Sequence, residues 1–207
     1  MISQYIQKLF VGEKPIFQDV KLSIKENKMP EISVSPETGK LLYLLVKMTK
    51  PKHVLEIGAL GGYSGIWLAS ALDEQGTLTS LEINEKFAEI AYQNLEKAGL
   101  KKKVNYKIGP ALDLLQEFKQ NGKRFDFFFI DADKENYQNY VDACIEVAND
   151  GAVITADNVL WKGEVVDTNR SEKAKIIHEF NQYCAHHPKL ESLIVPIGDG
   201  LTVAVVK

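Results

Sequence analysis

The chain has 207 residues, of which 25 are Lys or Arg and 28 are Asp or Glu, so its formal net charge is −3. With 45% hydrophobic and 26% charged residues, it has the composition of an ordinary globular protein that can bury one core without disulfides or structural metals. The slightly acidic balance disfavours binding of nucleic acid through overall charge, although a local basic patch is compatible with it.

The sequence carries no feature of a secreted or membrane protein. Its two cysteines, Cys144 and Cys184, lie in segments of helical periodicity and form no CxxC or Cys/His metal-binding pattern. The N-terminal residues lack the apolar run of a signal peptide, and no stretch approaches the roughly 18 apolar residues of a membrane span. We therefore expect reduced cysteines, no membrane contact and a cytoplasmic location.

Residues 1–34 are predicted to form an N-terminal helical segment. Two short amphipathic patterns precede Met29-Pro30, with apolar residues at Ile2, Ile6, Leu9 and Phe10 and then at Phe17, Val20, Leu22 and Ile24. A better-marked helix follows, because Ser35 can cap it and Pro36 suits its first turn. Its expected buried stripe is Leu41, Leu42, Leu45 and Met48, and Pro51 closes the unit.

From residue 53 onward, short apolar runs alternate with helical patterns. Strands are predicted at 53–58, 77–83, 104–109, 125–131 and 151–157, and helices at 63–72, 84–98, 111–118, 135–148 and 171–186. Strands separated by helices imply right-handed crossovers and a parallel sheet covered by helices on both faces. The last two runs, 193–198 and 201–206, flank an Asp-Gly turn, so we expect the final strand to be antiparallel.

A glycine-rich turn follows the first predicted strand, where ligands of open α/β sheets bind. Glu82 ends the second strand, 20 residues beyond Gly62, and a carboxylate there can accept hydrogen bonds from ribose hydroxyls. Because Gly58 is followed by Ala59 and Leu60, the turn lacks the second glycine that admits a pyrophosphate. It therefore suits a ribonucleoside such as S-adenosylmethionine (SAM) better than a dinucleotide. The alternative is a purely structural turn with a solvated Glu82.

Oxygen-bearing side chains follow the fourth and fifth predicted strands. Asp131 follows the fourth strand, and Asp157 and Asn158 follow the fifth. If these strands are neighbours, the three side chains converge at one end of the sheet. Such a set, without His or Cys, suits Mg²⁺, with Mn²⁺ or Ca²⁺ as alternatives, rather than zinc. The structural alternative is an Asx turn at Asp157-Asn158, and Asp133 is interpreted as a helix cap.

These motifs together resemble one family, the cation-dependent SAM O-methyltransferases, which includes the catechol and caffeoyl-CoA O-methyltransferases. The likeness extends from about Ser33 to the 197–201 turn, and the motifs occur in the same order and with the same spacing as in that family. It rests on Glu56-Ile57-Gly58, Gly62-Tyr63-Ser64, Phe125-Asp126, Asp131-Ala132-Asp133-Lys134, Asn136-Tyr137, Ala156-Asp157-Asn158, Leu160-Trp161 and Gly163. The resemblance implies a Rossmann-like methyltransferase fold with a seven-stranded, mostly parallel sheet, one antiparallel C-terminal strand and helices on both faces. We expect one domain over 1–207, with its core at 35–207.

The resemblance also implies roles for individual residues. Asp131, Asp157 and Asn158 match the metal ligands, and Lys134 matches the general base, so Asp131 and Lys134 are the expected catalytic residues. The expected SAM-binding residues are Val34, Glu56, Gly58, Ala59, Gly62, Tyr63, Ser64, Glu82, Gly109, Pro110, Ala111 and Asp131. Trp161 and Arg170 lie in the segment that shapes the acceptor pocket in relatives.

The predicted reaction moves a methyl group from SAM to a hydroxyl of a catechol-type or caffeoyl-type phenol, with a divalent cation and a homodimeric enzyme. The first alternative is the same chemistry on a hydroxylated uridine of tRNA, which the Lys101–Lys103 run could favour. A noncatalytic SAM-binding protein is a second alternative. A third, an NAD(P)-dependent oxidoreductase, is disfavoured by the missing glycine.

Overall fold

A computed structural model describes residues 2–12 and 14–207. The strands are β1 (His53–Ile57), β2 (Thr77–Glu82), β3 (Val104–Ile108), β4 (Phe125–Ile130), β5 (Ala148–Asp157), β6 (Leu190–Val195) and β7 (Leu201–Val206). The α-helices are α1 (Ile2–Ile6), α2 (Pro15–Glu26), α3 (Pro36–Thr49), α4 (Tyr63–Ala71), α5 (Glu85–Lys97), α6 (Ala111–Gln120), α7 (Tyr137–Glu146) and α8 (Glu172–His186). Shorter helical turns are Gln7–Val11, which is a π-helix, and the 3₁₀ segments Lys101–Lys103, Lys134–Asn136 and Trp161–Val166.

The strands form a seven-stranded sheet in the order β3-β2-β1-β4-β5-β7-β6. The chain divides into two compact units, the first ending at Pro110 and the second spanning Ala111–Lys207. In the first unit, β2 pairs in parallel with both β1 and β3. In the second, β4 and β5 are parallel, whereas β7 runs antiparallel to β5 and to β6. The predicted mostly parallel sheet with an antiparallel last strand is therefore confirmed.

Strand β4 shows why the central strands could be recognised from the sequence. Its sequence FDFFFI places Phe125, Phe127, Phe128 and Phe129 in the core, each fully buried. A strand of a parallel sheet that is covered on both faces has apolar side chains in succession rather than in alternation. This continuous apolar run fixes where β4 ends, and therefore where the polar residues that follow it begin.

Helix α3 begins as predicted but buries a different face. The Ser35 hydroxyl accepts a hydrogen bond from the Thr38 N–H at 3.1 Å and caps the helix. Leu42 of the predicted stripe is fully buried, as is Val46, whereas Met48 is 76% exposed, so the prediction was confirmed at Leu42 and wrong at Met48. Both faces have helical spacing, and the packing partner decides between them. The buried face of α3 packs against Trp67 of α4 at Gly39. A Cβ at this position would lie 2.2 Å from Trp67 Nε1, so the close approach of the two helices requires glycine.

The N-terminal segment is helical, as expected, but only its second helix contributes to the core. In α2, Phe17, Val20 and Ile24 are buried. In the first pattern, Leu9 and Phe10 are 57% and 65% exposed. The contacts there are polar, because Ser3 and Gln7 both donate to the Glu37 carboxylate of α3.

Two strands begin three residues earlier than predicted. Strand β5 begins at Ala148 rather than 151, because Ala148 already pairs with Phe125 of β4. A register irregularity separates this pair from the next one, Phe127 opposite Val153, and Gly151 within it has a positive φ. Strand β6 begins at Leu190 rather than 193, so it pairs with β7 from Leu190 opposite Val206. In both strands, pairing with a neighbouring strand begins before the apolar run from which the strand was predicted.

Candidate active site

The glycine-rich turn after β1 is a compact connection into α4. Gly58 and Gly62 have φ values of 97° and 82°, and Leu60 is left-handed at 46°. A Cβ on Gly62 would lie 2.7 Å from Leu95 Cδ1 and 3.1 Å from the Ala91 carbonyl oxygen, so only glycine fits against α5. The chain therefore turns tightly from the end of β1 into α4, at the turn that the sequence predicted.

Glu82, at the end of β2, holds this turn. Its carboxylate is 8% exposed, and Oε2 accepts the backbone N–H groups of Ala59 and Leu60 at 3.1 and 3.0 Å. Oε1 accepts the N–H of Asn84 at 2.9 Å. Two carboxylate oxygens offer about four acceptor directions, so capacity for a further donor remains. Glu82 thus fixes the shape of the turn in addition to its predicted contact with a ribose.

Glu56 and Tyr63 face the interior of the first unit. The Glu56 carboxylate is fully buried and accepts hydrogen bonds from the hydroxyls of Ser64 at 2.6 Å and Ser80 at 2.5 Å. The Tyr63 ring lies 5.0 Å from the ring of Phe17, and burial raises the pKa of its phenol. In this arrangement these side chains anchor the start of α4.

The remaining predicted SAM-binding residues of the first unit flank the same strands. Val34 is buried, 5% exposed, directly before the cap of α3. Gly109 has a φ of 145°, and its N–H donates to the Glu82 carbonyl oxygen at 3.1 Å. Pro110 follows, and Ala111 begins α6 in the second unit. Gly109 is thereby held beside the end of β2.

The predicted oxygen ligands of the second unit come together at the ends of two paired strands. Ile130 of β4 pairs with Ala156 of β5, so Asp131 and Asp157 each follow this pair. Asn158 comes next and adopts a left-handed φ of 60°, and its amide nitrogen donates weakly to Asp157 Oδ2 at 3.4 Å. The neighbouring strands that the prediction required are confirmed.

Asp157 is a buried carboxylate with an unused oxygen. It is 2% exposed, and its Oδ1 has no hydrogen-bond partner within the described residues. Burial, followed by the negative charge of Asp131, raises its pKa to about 7. A buried and unpaired carboxylate oxygen is costly, and a bound cation would remove that cost. The residues therefore fit a divalent cation, although residues 2–12 and 14–207 contain no cluster of three His, Cys, Asp or Glu that could bind one.

Lys134 lies beside these carboxylates. Its Nζ lies 3.0 Å from Asp131 Oδ1 and 2.5 Å from the hydroxyl of Tyr137, and its side chain is 11% exposed. The Tyr137 hydroxyl in turn donates to the carbonyl oxygen of Asp157 at 3.0 Å. The amine is therefore held close to one predicted metal ligand and is connected through Tyr137 to the backbone of another.

The predicted acceptor residues lie in the segment after β5. Trp161 has a left-handed φ of 45°, and its ring lies 5.8 Å from Lys173 Nζ. Arg170 Nε donates to the Val165 carbonyl oxygen at 2.7 Å. The turn before β7 holds the segment after β5 through Asp199. The Asp199 carboxylate accepts the N–H of Lys162 at 2.5 Å, and the backbone carbonyl oxygen of Asp199 accepts the N–H of Leu160 at 2.9 Å.

Three contacts of this region were missed from the sequence. Tyr137 was quoted only as part of a motif, and its hydroxyl joins Lys134 to β5. Asp199 was interpreted only as a hairpin residue, although it also holds the 158–166 segment. Asp133 was expected to cap a helix, but its carboxylate accepts from the side chains of Asn136 and Tyr140, both at 2.5 Å, and makes no backbone capping bond. Residue type and spacing do not reveal such side-chain partners.

Comparisons with known proteins point to one family. A family model described as O-methyltransferase matches residues 7–207. A catechol O-methyltransferase of Niastella koreensis is 37% identical over the whole chain and 96% of its own length. Caffeoyl-CoA O-methyltransferase 2 of Petunia hybrida is 36% identical over 83% of this chain and 74% of its own.

Solved structures give the same result. The O-methyltransferase from Bacillus cereus in complex with S-adenosylhomocysteine (SAH) superposes with a TM-score of 0.91 at 37% identity, covering 100% of this chain and 97% of that one. An O-methyltransferase from Streptomyces achromogenes in complex with SAM has a TM-score of 0.88 at 32% identity, covering 100% and 96%.

Fold and relatives together define a SAM-dependent O-methyltransferase. The chain belongs to the O-methyltransferase family. Within the part of the chain that the structure describes, no helix has the length and apolar character needed to span a membrane.

Proposed function

We propose that this enzyme is a divalent-cation-dependent O-methyltransferase whose acceptor is a catechol-type or caffeoyl-type phenol. The observation that carries the proposal is the buried Asp157 carboxylate, whose Oδ1 has no hydrogen-bond partner among residues 2–12 and 14–207. It belongs to the strand-end cluster, the group of Asp131, Asp157 and Asn158 that follows β4 and β5. The names of the catechol and caffeoyl-CoA relatives support the acceptor class. The whole chain, residues 1–207, is proposed to act as one methyltransferase domain.

In this proposal Asp131, Asp157 and the amide oxygen of Asn158 hold the cation. When bound, a divalent cation supplies a Lewis acid that stabilises negative charge on an acceptor oxygen. Asp157 is suited to this role because its carboxylate is buried and has an oxygen without a hydrogen-bond donor among the described residues. Asn158 is suited because, within the part of the chain that the structure describes, its amide makes only one long hydrogen bond, at 3.4 Å to Asp157 Oδ2.

Lys134 is the proposed general base. Its Nζ removes the proton of the acceptor hydroxyl as the oxygen attacks the methyl carbon of SAM, and the carbon–sulfur bond breaks to leave neutral SAH. The proton remains on Nζ, where the Asp131 carboxylate at 3.0 Å stabilises the resulting ammonium. The amine is restrained between Asp131 and Tyr137, so it does not need to be ordered during the reaction.

The methyl donor is proposed to bind at the turn after β1. Glu82 holds the N–H groups of Ala59 and Leu60 and retains capacity for a ribose hydroxyl. The backbone of Gly58 and Gly62 lies in the same turn, and Gly109 is fixed beside β2 by its bond to the Glu82 carbonyl oxygen. Val34, Glu56, Tyr63, Ser64, Pro110 and Ala111 are proposed to complete this site, and Trp161 and Arg170 to line the acceptor pocket.

The tRNA alternative depends on the lysines of the 101–103 segment. In the structure, Lys101 pairs with Glu96 at 2.5 Å and Lys103 donates to the Leu72 carbonyl oxygen at 2.6 Å. Two of the three charges are therefore already engaged within the first unit. The phenolic acceptor remains the proposal, with hydroxylated tRNA as the competing outcome of its test.

The experiment is transfer of a labelled methyl group from SAM to a panel of acceptors: catechol, caffeoyl-CoA, unmodified tRNA and tRNA containing 5-hydroxyuridine. Each acceptor is tested with EDTA and with added Mg²⁺. We expect methylation of the phenols only, and only with Mg²⁺. Efficient methylation of hydroxylated tRNA with background activity on both phenols would refute the acceptor assignment, and activity unaffected by EDTA would refute the cation.

A further inference from the structure

The hydroxyl of Tyr137 lies at the centre of the second unit's strand-end cluster. Tyr137 is 1% exposed, and its hydroxyl oxygen lies 2.5 Å from Lys134 Nζ, 3.0 Å from the Asp157 carbonyl oxygen and 3.4 Å from the Ile130 carbonyl oxygen. It therefore connects the turn after β4 with the end of β5.

The direction of these hydrogen bonds follows from the groups involved. A phenol has one O–H donor, and the carbonyl oxygens of Asp157 and Ile130 can only accept, so the Tyr137 proton points to the nearer one, that of Asp157 at 3.0 Å rather than that of Ile130 at 3.4 Å. The phenol oxygen then presents its lone pairs to Lys134 and acts as an acceptor from Nζ. Burial and the charges of Asp131 and Asp157 raise the pKa of Tyr137 well above its ordinary value, which keeps the phenol neutral.

The nitrogen of a lysine side chain has three hydrogen-bonding directions besides its bond to Cε. At Lys134, Asp131 Oδ1 takes one direction at 3.0 Å and the Tyr137 hydroxyl takes a second at 2.5 Å. Among residues 2–12 and 14–207 there is no third hydrogen-bond partner for this nitrogen. In the neutral form, which is the form that can act as a base, the amine donates two hydrogen bonds and has one lone pair, so with both N–H groups engaged the lone pair occupies the remaining direction.

We propose that Tyr137 is a positioning residue for Lys134: its hydroxyl, together with the Asp131 carboxylate, takes two directions of Nζ and leaves the third for the acceptor hydroxyl. This inference rests on the proposed role of Lys134 as the base. Tyr137 is fixed for this task because its own proton is bound to the β5 backbone and its ring packs edge-on against Phe180 at 5.2 Å.

Tyr137→Phe is the discriminating variant, because it removes only the hydroxyl. It keeps the ring, the contact of the ring with Phe180, and the 4.6 Å distance between the ring centroid and Lys134 Nζ. Catechol serves as the probe acceptor. We expect kcat to fall by roughly ten- to a hundredfold, because the base is no longer held in position, whereas KM for SAM and for catechol stays within about threefold. Tyr140→Phe is the matched control, because it removes another hydroxyl of α7, the donor to Asp133, and should change kcat by less than about threefold.

A double-mutant cycle tests whether Tyr137 acts through Lys134. Lys134→Met alone should lower kcat by about 10²- to 10⁴-fold. Adding Tyr137→Phe to it should cause little further loss, because the group that Tyr137 positions is already absent. A loss from Tyr137→Phe that is equally large in both backgrounds would overturn the inference, as would wild-type kcat in Tyr137→Phe. If Lys134→Met keeps full activity, the proposed base is wrong and the inference falls with it.

A measurement without turnover keeps the inference testable even if catechol is not methylated. In protein labelled with ¹⁵N-lysine, a hydrogen-bonded Lys134 ammonium should give a slowly exchanging ¹H–¹⁵N signal that is assigned by its loss in Lys134→Met. The signal should shift or broaden in Tyr137→Phe and stay in place in Tyr140→Phe. An unchanged signal in Tyr137→Phe would contradict the proposal. If Tyr137→Phe does not fold, 3-fluorotyrosine is placed at position 137 instead, because its hydroxyl is a weaker acceptor in a side chain of the same shape. The Lys134 signal must then shift, and an unshifted signal would overturn the proposal.

Discussion

Two buried carboxylates, each at the end of a strand, differ in how the protein satisfies them. Glu82 is 8% exposed and accepts three backbone N–H groups. Asp157 is 2% exposed, has an oxygen without a donor among the described residues and lies near the negative charge of Asp131. A carboxylate bonded by the protein stabilises the local backbone, whereas an unsatisfied one is stabilised by a bound cation. The two positions look alike in sequence and have opposite needs.

The largest expected effect is at the unsatisfied carboxylate. Asp157→Ala should lower kcat by about 10³-fold or more, because it removes a proposed cation ligand. The affinity for SAM, measured by calorimetry, should stay within about threefold, since the proposed SAM-binding turn belongs to the first unit. Asp150→Asn is the control, because Asp150 lies on the same strand and is exposed. Loss of SAM binding in Asp157→Ala, or retained transfer, would contradict the division of roles.

A second test compares acceptors. A cation held by only three protein groups has open positions, and two adjacent hydroxyls can fill two of them, whereas a single hydroxyl fills one. A catechol should therefore exceed its monophenol analogue in kcat/KM by on the order of a hundredfold, about 2.7 kcal/mol. Steady-state kinetics with matched acceptors gives the ratio, and a ratio near one would argue against chelation.

Glu82→Ala tests the satisfied carboxylate. The affinity for SAM should fall by about ten- to a hundredfold, or roughly 1.5–3 kcal/mol, through the loss of charge-assisted hydrogen bonds. Because Glu82 also holds Ala59 and Leu60, the Tm of the protein without SAM should fall too, by about 2–4 °C per kcal/mol lost. Weaker SAM binding with unchanged Tm would mean that the turn keeps its shape without Glu82.

The smallest effect is the pH dependence of stability in EDTA. The pKa of Asp157 is about 7 in the folded protein against an ordinary value of 3.8, so the folded state binds more protons between these values. The stabilisation of the protonated carboxyl is therefore complete below about pH 4 and is lost as the pH rises through 7. Asp157→Asn has no carboxyl to titrate here and does not lose this stabilisation. The difference in Tm between the variant and the wild type should therefore change by several degrees in favour of the variant when the pH is raised from 5 to 8. Added Mg²⁺ at pH 8 should stabilise the wild type only.

The sequence was sufficient for the fold because β4 and its neighbours are continuous apolar runs separated by amphipathic helices. It was also sufficient for bringing Asp131 and Asp157 together, since that required only that β4 and β5 be neighbours. The buried face of α3 could not be chosen, because Leu42-Val46 and Leu41-Met48 both have helical spacing. The roles of the Glu82 oxygens and of the Tyr137 hydroxyl depend on partners distant in the chain, which no local pattern encodes.

The segment after β5 keeps its course mainly through backbone groups. The N–H groups of residues 159 and 160 donate to the carbonyl oxygens of Gly200 and Asp199, and a Cβ on Gly200 would lie 2.5 Å from Leu160 Cγ. Such bonds are indifferent to side-chain identity, so a library that randomises the exposed Val166 and varies Trp161 without β-branched residues, which its φ of 45° disfavours, should yield mostly folded proteins with altered acceptor ranges. Libraries at Gly163, whose φ is 89°, or at Gly200 should not. Laboratory evolution of new acceptors therefore has a defined set of positions to change and two glycines to keep.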